Sequence, residues 1–421
     1  MLSKQENELV THAMPGTPMG ELMRRYWIPA FLTEEIPEPD CPPVQVRILG
    51  EELVGFRDTN GEIGLLEEHC LHRGTSLFYG RNEEVGLRCI YHGWKYDVAG
   101  NVLETPAEPA SSQFGKKLHH VSYPTREVNG IVWAYLGPVE KMPLFPGFEW
   151  ANVSGDQCYV TKCLQDCNYL QGLEGECDSS HLNFLHRNLQ SRSQFDSIPE
   201  YETEDTDFGV RLIALRDAGE GKTYVRVSSF VMPYGSAVPV GGPGPNGLLD
   251  GFEIHFYVPA QDDQHSWRID FGFKRSRAVT DADVHRRQVI DANYRRIPNS
   301  SNHYMQDREK QKTVSFTGMD DFLTHDSAAT ETMGSLFDRS REHLGTSDKG
   351  VIAVRAFMLK AVKDLQKGNE PPAIFNDPEV NDLSYSESTS RVFEGKDWKG
   401  ALPHLTNTVQ EYLAQKESTL K

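Results

Sequence analysis

Cys70-Leu71-His72, sixteen further residues, and then Cys89-Ile90-Tyr91-His92 form the stretch that decides how this 421-residue chain folds. Each of the two short loops offers one thiolate and one imidazole. Zinc fingers usually keep their cysteines in one pair and their histidines in the other, at wider histidine spacing. Two mixed loops instead suit a two-iron cluster with two thiolates on one iron and two imidazoles on the other, the ligand set of a Rieske [2Fe–2S] centre. Gly74 and Gly93 follow the histidines closely, as tight loops around a cluster require. Tyr91, Trp94 and Tyr96 supply aromatic surface that keeps water off one side. His69 falls outside the spacing and is a bystander.

Farther along stands Asp178-Ser179-Ser180-His181-Leu182-Asn183-Phe184-Leu185-His186. Two histidines and a carboxylate on one face of an iron leave three positions open for O2 and substrate. His181 and His186 are five apart, which on a regular helix is about 140° of rotation and too far to converge. The spacing therefore predicts a distorted helix or a helix end between them. Asp178 lies on nearly the same face as His181 and is placed to orient that ring. The third ligand must come from elsewhere, and Asp320, Asp321, Asp326, Glu331, Asp338 and Asp348 are the candidates. Spacing does not choose among them. Asp348 opens an apolar helix that must pack on the core, which favours it; the others sit in a polar stretch where solvated acids are the default. A one-electron relay and an oxygen-activating iron in one polypeptide point to reductive activation of O2 and oxidation of an organic substrate.

The rest of the composition bounds this reading. The length predicts two domains. A net charge of −18 argues against nucleic acid and against an anionic membrane surface. No run approaches a spanning helix, and Met1 to Glu8 holds no apolar core of a signal peptide. Seven cysteines without a disulfide framework fit reduced thiols and a cytoplasmic location. Cys163 and Cys167 lack a partner pair for a metal site.

Outward from the motifs, residues 4–27 read as helical, with Leu9, Met19, Leu22, Met23 and Trp27 as apolar positions. Val44 to Leu136 reads as short strands separated by Gly and Asn, and Gly137 to Pro146 as an exit linker. Residues 208–274 return to strands, interrupted by a Pro/Gly-rich loop from Pro239 to Gly247. Thr346 or Ser347 caps a helix whose stripe is Val351, Val354, Met358, Ala361 and Leu365, stopped by Gly368. The tail from Ser386 carries no pattern.

With both motifs in this order, the chain resembles the oxygenase α-subunits of Rieske non-haem iron oxygenases. Pro15-Gly16-Thr17-Pro18-Met19-Gly20, Tyr91-His92-Gly93-Trp94-Lys95-Tyr96-Asp97, Gln171-Gly172-Leu173-Glu174-Gly175 and Asp338-Arg339-Ser340-Arg341-Glu342-His343-Leu344-Gly345-Thr346-Ser347-Asp348 are similar to the phthalate 4,5-dioxygenase-like branch. The resemblance implies an α+β fold in which a β-rich Rieske domain, residues 44–150, adjoins a catalytic domain, residues 151–421, of antiparallel sheet capped by helices in the helix-grip, START-like manner. A helical segment, residues 1–43, packs on the catalytic domain. It implies one Rieske cluster on Cys70, His72, Cys89 and His92, and one mononuclear Fe(II) on His181, His186 and Asp348. It implies homotrimers, in some members stacked as hexamers, with electrons crossing from one subunit's His92 through its neighbour's Asp178 to the neighbour's His181. It implies that electrons come from a flavin and plant-type ferredoxin reductase, or from a ferredoxin. Asn168 matches a position that borders the site. Leu71, where many relatives have Pro, touches loop stiffness alone.

These features predict the terminal oxygenase of a multicomponent system acting on a small substituted aromatic, by monooxygenation with N- or O-dealkylation or by ring cis-dihydroxylation. A phthalate-type carboxylate dioxygenase is the alternative, and would need cationic anchors such as Arg211, Arg216 or Arg226. Phe230, Met232, Phe252, Ile254 and Phe256 are either pocket lining or core. A Rieske electron carrier with no oxygenase activity is the remote alternative. It would not need Asp178, His181 and His186 in register.

Overall fold

A computed structural model of the chain describes residues 1–109, 111–187, 197–240, 249–284 and 289–419. Ser3 caps helix α1 (Lys4–Thr11) by accepting the Glu6 N–H while the Glu6 carboxylate reaches back to Ser3. Thr17 caps α2 (Pro18–Met23), whose proline sits where a missing N–H costs nothing. Strand β1 (Trp27–Leu32) follows, buried at every position. The predicted helix over 4–27 is thus two helices and a bend, and Trp27 belongs to a strand. A strand buried on both faces shows no alternation, so an apolar residue at its start mimics a helical period.

Three small sheets make up the next stretch. One is β2 (Val44–Ile48), β3 (Glu51–Arg57) and β4 (Ile63–Glu67). The second is β5 (Arg81–Asn82), β6 (Leu87–Arg88), β7 (Lys95–Tyr96) and β8 (Val102–Glu104). The third joins β9 (Thr125–Val128) and β10 (Ile131–Tyr135) to β1, with Trp27 opposite Tyr135. Strand β3 shows why these layers hold. Its Leu53 faces the main core, while Val54 and Phe56 join Leu66, Leu77, Leu87, Trp94 and Tyr96 in a second core around Cys70 and Cys89.

The larger sheet begins with β11 (Cys158–Gln165), followed by helix α3 (Tyr169–Cys177). Then come β12 (Glu200–Asp205), β13 (Gly209–Asp217), β14 (Lys222–Val231), β15 (Gly235–Val238), β16 (Glu253–Pro259) and β17 (Ser266–Phe273). All pair antiparallel, in the order β11-β17-β16-β15-β14-β13-β12. Helices α4 (Arg308–Thr313), α5 (Phe322–Glu331) and α6 (Lys349–Gln366) follow. α3 packs on β15 and β16, α6 on β12 and β13, and α5 against α3. α1 and α2 pack on α6. Val351, Val354, Met358 and Ala361 are buried as the stripe predicts, with Asp348 as the N-cap position. Residues 241–247 of the predicted Pro/Gly-rich loop lie outside the described residues.

The tail that carried no pattern has a structural task. β15 is short, so it covers one end of the β14 edge, at Ser229 to Val231. β18 (Thr389–Glu394) fills the remainder from Lys222 to Val227. Helix α7 (Trp398–Ala401) then sets Trp398 against Ile213, Leu215, Val225 and Val227 on the second face of the sheet. α8 (Val409–Thr419) completes the chain. No helix among the described residues is long and apolar enough to cross a membrane.

α3 seats closely because Gly172 lies against the ring of Tyr257 on β16, where an added Cβ would collide with that ring. Gly172→Ala should therefore destabilise the fold by about 1–3 kcal/mol, the usual cost of overpacking. A thermal melt checks this against Gly155→Ala, whose Cβ meets nothing within 4 Å and which should melt like the unaltered chain.

Candidate metal centres

The two cysteine–histidine loops are built alike. Cys70 N–H donates to Thr75 O and Gly74 N–H returns to Cys70 O, at 2.9 and 2.8 Å. Cys89 N–H donates to Trp94 O and Gly93 N–H to Cys89 O, at 2.8 and 3.0 Å. Gly74 and Gly93 hold φ of +72° and +75°, which a side chain would strain. The loops bring the His72 and His92 rings within 4.5 Å, centroid to centroid. Trp94 stacks on His72, and the Tyr96 hydroxyl lies 3.1 Å from Cys70 Sγ. Burial, joined by the neighbouring Cys89 sulfur, pushes the Cys70 thiol up. Two thiols crowded in this way take thiolate form only beside compensating cations, which suits an iron pair. Leu71, Ile90 and Tyr91 at the loop tips are exposed.

The second motif begins where α3 ends. Asp178 is extended, and a single 3-10 turn over His181–Asn183 replaces the helix. The helix end required by the five-residue spacing is present. His181 Nδ1–H is held by the backbone carbonyl of Asp178 rather than by its carboxylate, whose Oδ1 accepts from Ser180 N–H at 2.7 Å. His186 Nδ1 lies 3.2 Å from His325 Nδ1. The two Nε2 atoms face one oxygen, Asp326 Oδ1, at 4.0 and 2.9 Å. These three residues place one donor atom each within 4.8 Å of one another.

Asp326 stands in mid-helix on α5. Asp321 starts that helix by accepting from Thr324 N–H at 2.8 Å, and Leu323, Thr324, Ser327, Ala328 and Thr330 are buried along it. Burial alone would raise the Asp326 carboxyl, yet His186, Arg268 and His181 hold it well below the usual range. Burial and the nearby His186 push His181 down, towards the neutral imidazole that binds metal. Arg268 Nη1 sits 3.6 Å from Asp326 Oδ2. Its other nitrogens pair with Asp270 at 2.8 Å and Glu176 at 3.2 Å. Glu176 also meets His255 Nδ1 and the Tyr257 hydroxyl, both at 2.8 Å. The His255 imidazole is held to about 9, burial being outweighed by Glu176 and Asp270.

Asp348, the expected third ligand, is not with the histidines. It is the half-exposed N-cap of α6, and its carboxylate accepts from Gly345 N–H at 2.6 Å. The apolar stripe of α6 begins after Asp348, so packing that helix leaves its cap at the surface end. The polar stretch that suggested solvated acids is a buried helix instead. Its N-cap Asp321 was the available signal; nothing local marked Asp326, His325, Arg268 or His255.

A cavity of about 350 Å³ adjoins His181 and Asp326, lined also by Gly175, Asp178, Leu185 and Met333 among others. Its size suits a small molecule. Asn168 does not line it: it caps α3, and its amide donates to Thr11 O and Asp263 O. Phe230, Met232, Phe252, Ile254 and Phe256 are buried in the main core and are not on its wall. Arg211 and Arg216 are buried, not solvated. Arg211 donates to Asn407, Tyr385 O and Thr406 O. Arg216 donates to Ser179 and Asn183, and Arg226 to Pro239 O.

Comparison with known proteins agrees with this architecture. Residues 26–123 match the Rieske [2Fe-2S] domain family, and residues 134–418 match the family described as LigXa C-terminal domain like. The oxygenase subunit of phthalate 4,5-dioxygenase from Pseudomonas putida is 39% identical over 87% of this chain and 88% of its own. The oxygenase subunit of 5,5'-dehydrodivanillate O-demethylase from a Sphingobium species is 30% identical over 100% of this chain and 96% of its own. A crystal structure of dicamba monooxygenase with 3,6-dichlorosalicylic acid shares the fold, with a TM-score of 0.61 at 17% identity, covering 82% of this chain and 99% of that one. The chain belongs to the Rieske non-haem iron oxygenases, as an oxygenase α-subunit of the phthalate 4,5-dioxygenase branch.

Proposed function

We propose that Cys70, His72, Cys89 and His92 hold the [2Fe–2S] cluster and that His181, His186 and Asp326 hold a mononuclear Fe(II). The convergence of two imidazoles and one carboxylate on one point beside a cavity carries this reading. Bound there, the cluster would deliver single electrons and the Fe(II) would support reductive use of O2. The protein's share is to favour the neutral form of His181, to fix Asp326 between the two imidazoles and Arg268, and to offer a small molecule a site beside them. Asp326→Ala should lose mononuclear iron and keep the visible spectrum of the cluster. Asp348→Ala should keep both. Metal analysis with optical spectra checks the pair, and an Asp348 variant that empties the site would reverse the assignment.

The substrate we propose is a small substituted aromatic without a second carboxylate, hydroxylated by monooxygenation with dealkylation or by ring dihydroxylation. The one guanidinium on the described cavity wall, Arg355, is already paired with Glu174 and Glu342. A free carboxylate would compete with both. Electrons come from a flavin and ferredoxin-type reductase in the cytoplasm. Aromatic acids, anilides and aryl ethers, supplied with a surrogate reductase and followed by O2 uptake and product mass, test this. Turnover of a dicarboxylate in preference to the neutral ethers would overturn it.

Transfer between subunits of a homotrimer is part of the same reading. The exposed tips at Leu71, Ile90 and Tyr91 and the half-buried Asp178 on the cavity wall support it. Because the Asp178 carbonyl holds His181 and Ser180 N–H engages Oδ1, Oδ2 is the atom we assign to a second copy's His92. Asp178→Asn keeps the carbonyl and removes the charge, so both metals and the oligomer should remain. Reduction of the cluster by the reductase should be normal, and its reoxidation with substrate and O2 should slow by orders of magnitude in rapid mixing. Reoxidation at the unaltered rate would remove Asp178 from the route.

A further inference from the structure

His325 is fully buried on α5, immediately before Asp326. Its Nδ1 lies 3.2 Å from His186 Nδ1, with the two rings parallel within 5°. On its far side, Nε2 lies 2.7 Å from Thr317 Oγ1 and 3.3 Å from the Met319 carbonyl. A carbonyl oxygen only accepts, so Nε2 carries the proton. Nδ1 of His325 is then a bare lone pair, and the donor that faces it among the described residues is the Nδ1–H of His186. That proton on Nδ1 leaves His186 Nε2 bare, facing Asp326 Oδ1 at 2.9 Å. The tautomers of both rings follow from one backbone carbonyl.

We infer that His325 is a positioning residue that fixes the tautomer and ring orientation of His186 for metal binding. This rests on His186 being a ligand, as proposed above. Metal-bound histidines are generally backed by a carboxylate, a backbone carbonyl or water. Here His186 is backed by a neutral imidazole and His181 by the Asp178 carbonyl. Neither backing group adds negative charge, so Asp326 supplies the only anionic donor of the three. α5 thus contributes the third ligand and the support of the second from consecutive residues.

The test is Co(II) binding to the cluster-containing chain, with the cluster oxidised and silent in electron paramagnetic resonance. Co(II) titration of the unaltered chain, His186→Ala, His325→Leu and His325→Gln gives both Kd and line shape. His325→Leu should weaken Co(II) binding roughly ten- to a hundredfold, the range for loss of a supporting partner, and alter the line shape. His325→Gln, whose amide oxygen accepts in place of Nδ1, should recover most of the affinity. Unaltered Kd and line shape in His325→Leu, with His186→Ala impaired, would overturn this inference and leave the ligand set standing. Full binding by His186→Ala would overturn the ligand set and this inference with it. Should the leucine variant fail to fold, nitrogen-15 spectra of the histidine-labelled, Zn(II)-loaded natural chain decide instead. A protonated Nδ1 on His325 would overturn the proposal.

Discussion

One carboxylate oxygen, Asp326 Oδ1, faces the Nε2 atoms of His181 and His186, while its partner oxygen faces Arg268. The site depends on that arrangement, because the three residues come from three separate constructions. His181 follows the broken end of α3, His186 lies past a 3-10 turn, and Asp326 is held in the middle of α5. A buried carboxylate is costly unless it is paired. The Arg268 guanidinium meets part of that requirement, and a cation bound between the imidazoles and Asp326 would meet the rest. The buried ionic set from Arg268 to Glu176 and His255 therefore serves to keep Asp326 ionised and aimed.

The sequence is most informative where chemistry is local. The Rieske domain was legible in the cluster loops, since the four proposed ligands, two glycines and the neighbouring aromatics all lie between Cys70 and Tyr96. The break in the second motif could be deduced from rotation per residue alone. The proposed third ligand could not, because the distance of Asp326 from His186 is set by how α5 packs on α3. Ranking the acids by a neighbouring apolar stripe favoured Asp348, but a stripe describes the side chains after the cap and not the cap. The same limit explains the pocket residues. Ile254 and Phe256 share one face of β16 as buried strand positions two apart should, and that spacing does not distinguish a cavity wall from a core. The tail had no periodicity to read because β18 is a short edge strand, defined by the gap that β15 leaves.

The two matched families meet in one interior. The main core runs from Val10 on α1 through Trp27 and Trp133 to Phe256, Phe271 and Met358. Trp133 lies 5.3 Å from Phe256 and 5.8 Å from Trp150, centroid to centroid. The cluster loops, in contrast, have a small core of their own around Cys70 and Cys89. The immediate surroundings of those loops are therefore set by aromatic neighbours such as Trp94 and Tyr96.

α5 carries the proposed carboxylate ligand, the proposed support of His186, and a buried face against α3, all within ten residues. An isolated helix of that length is marginal in water. Its persistence is therefore coupled to whatever occupies the site, since any ion bound to the folded form adds stability in proportion to the logarithm of its concentration over its Kd. A metal bound to Asp326 would hold the helix at a second point besides its packing on α3, so that metal supply would set its local order.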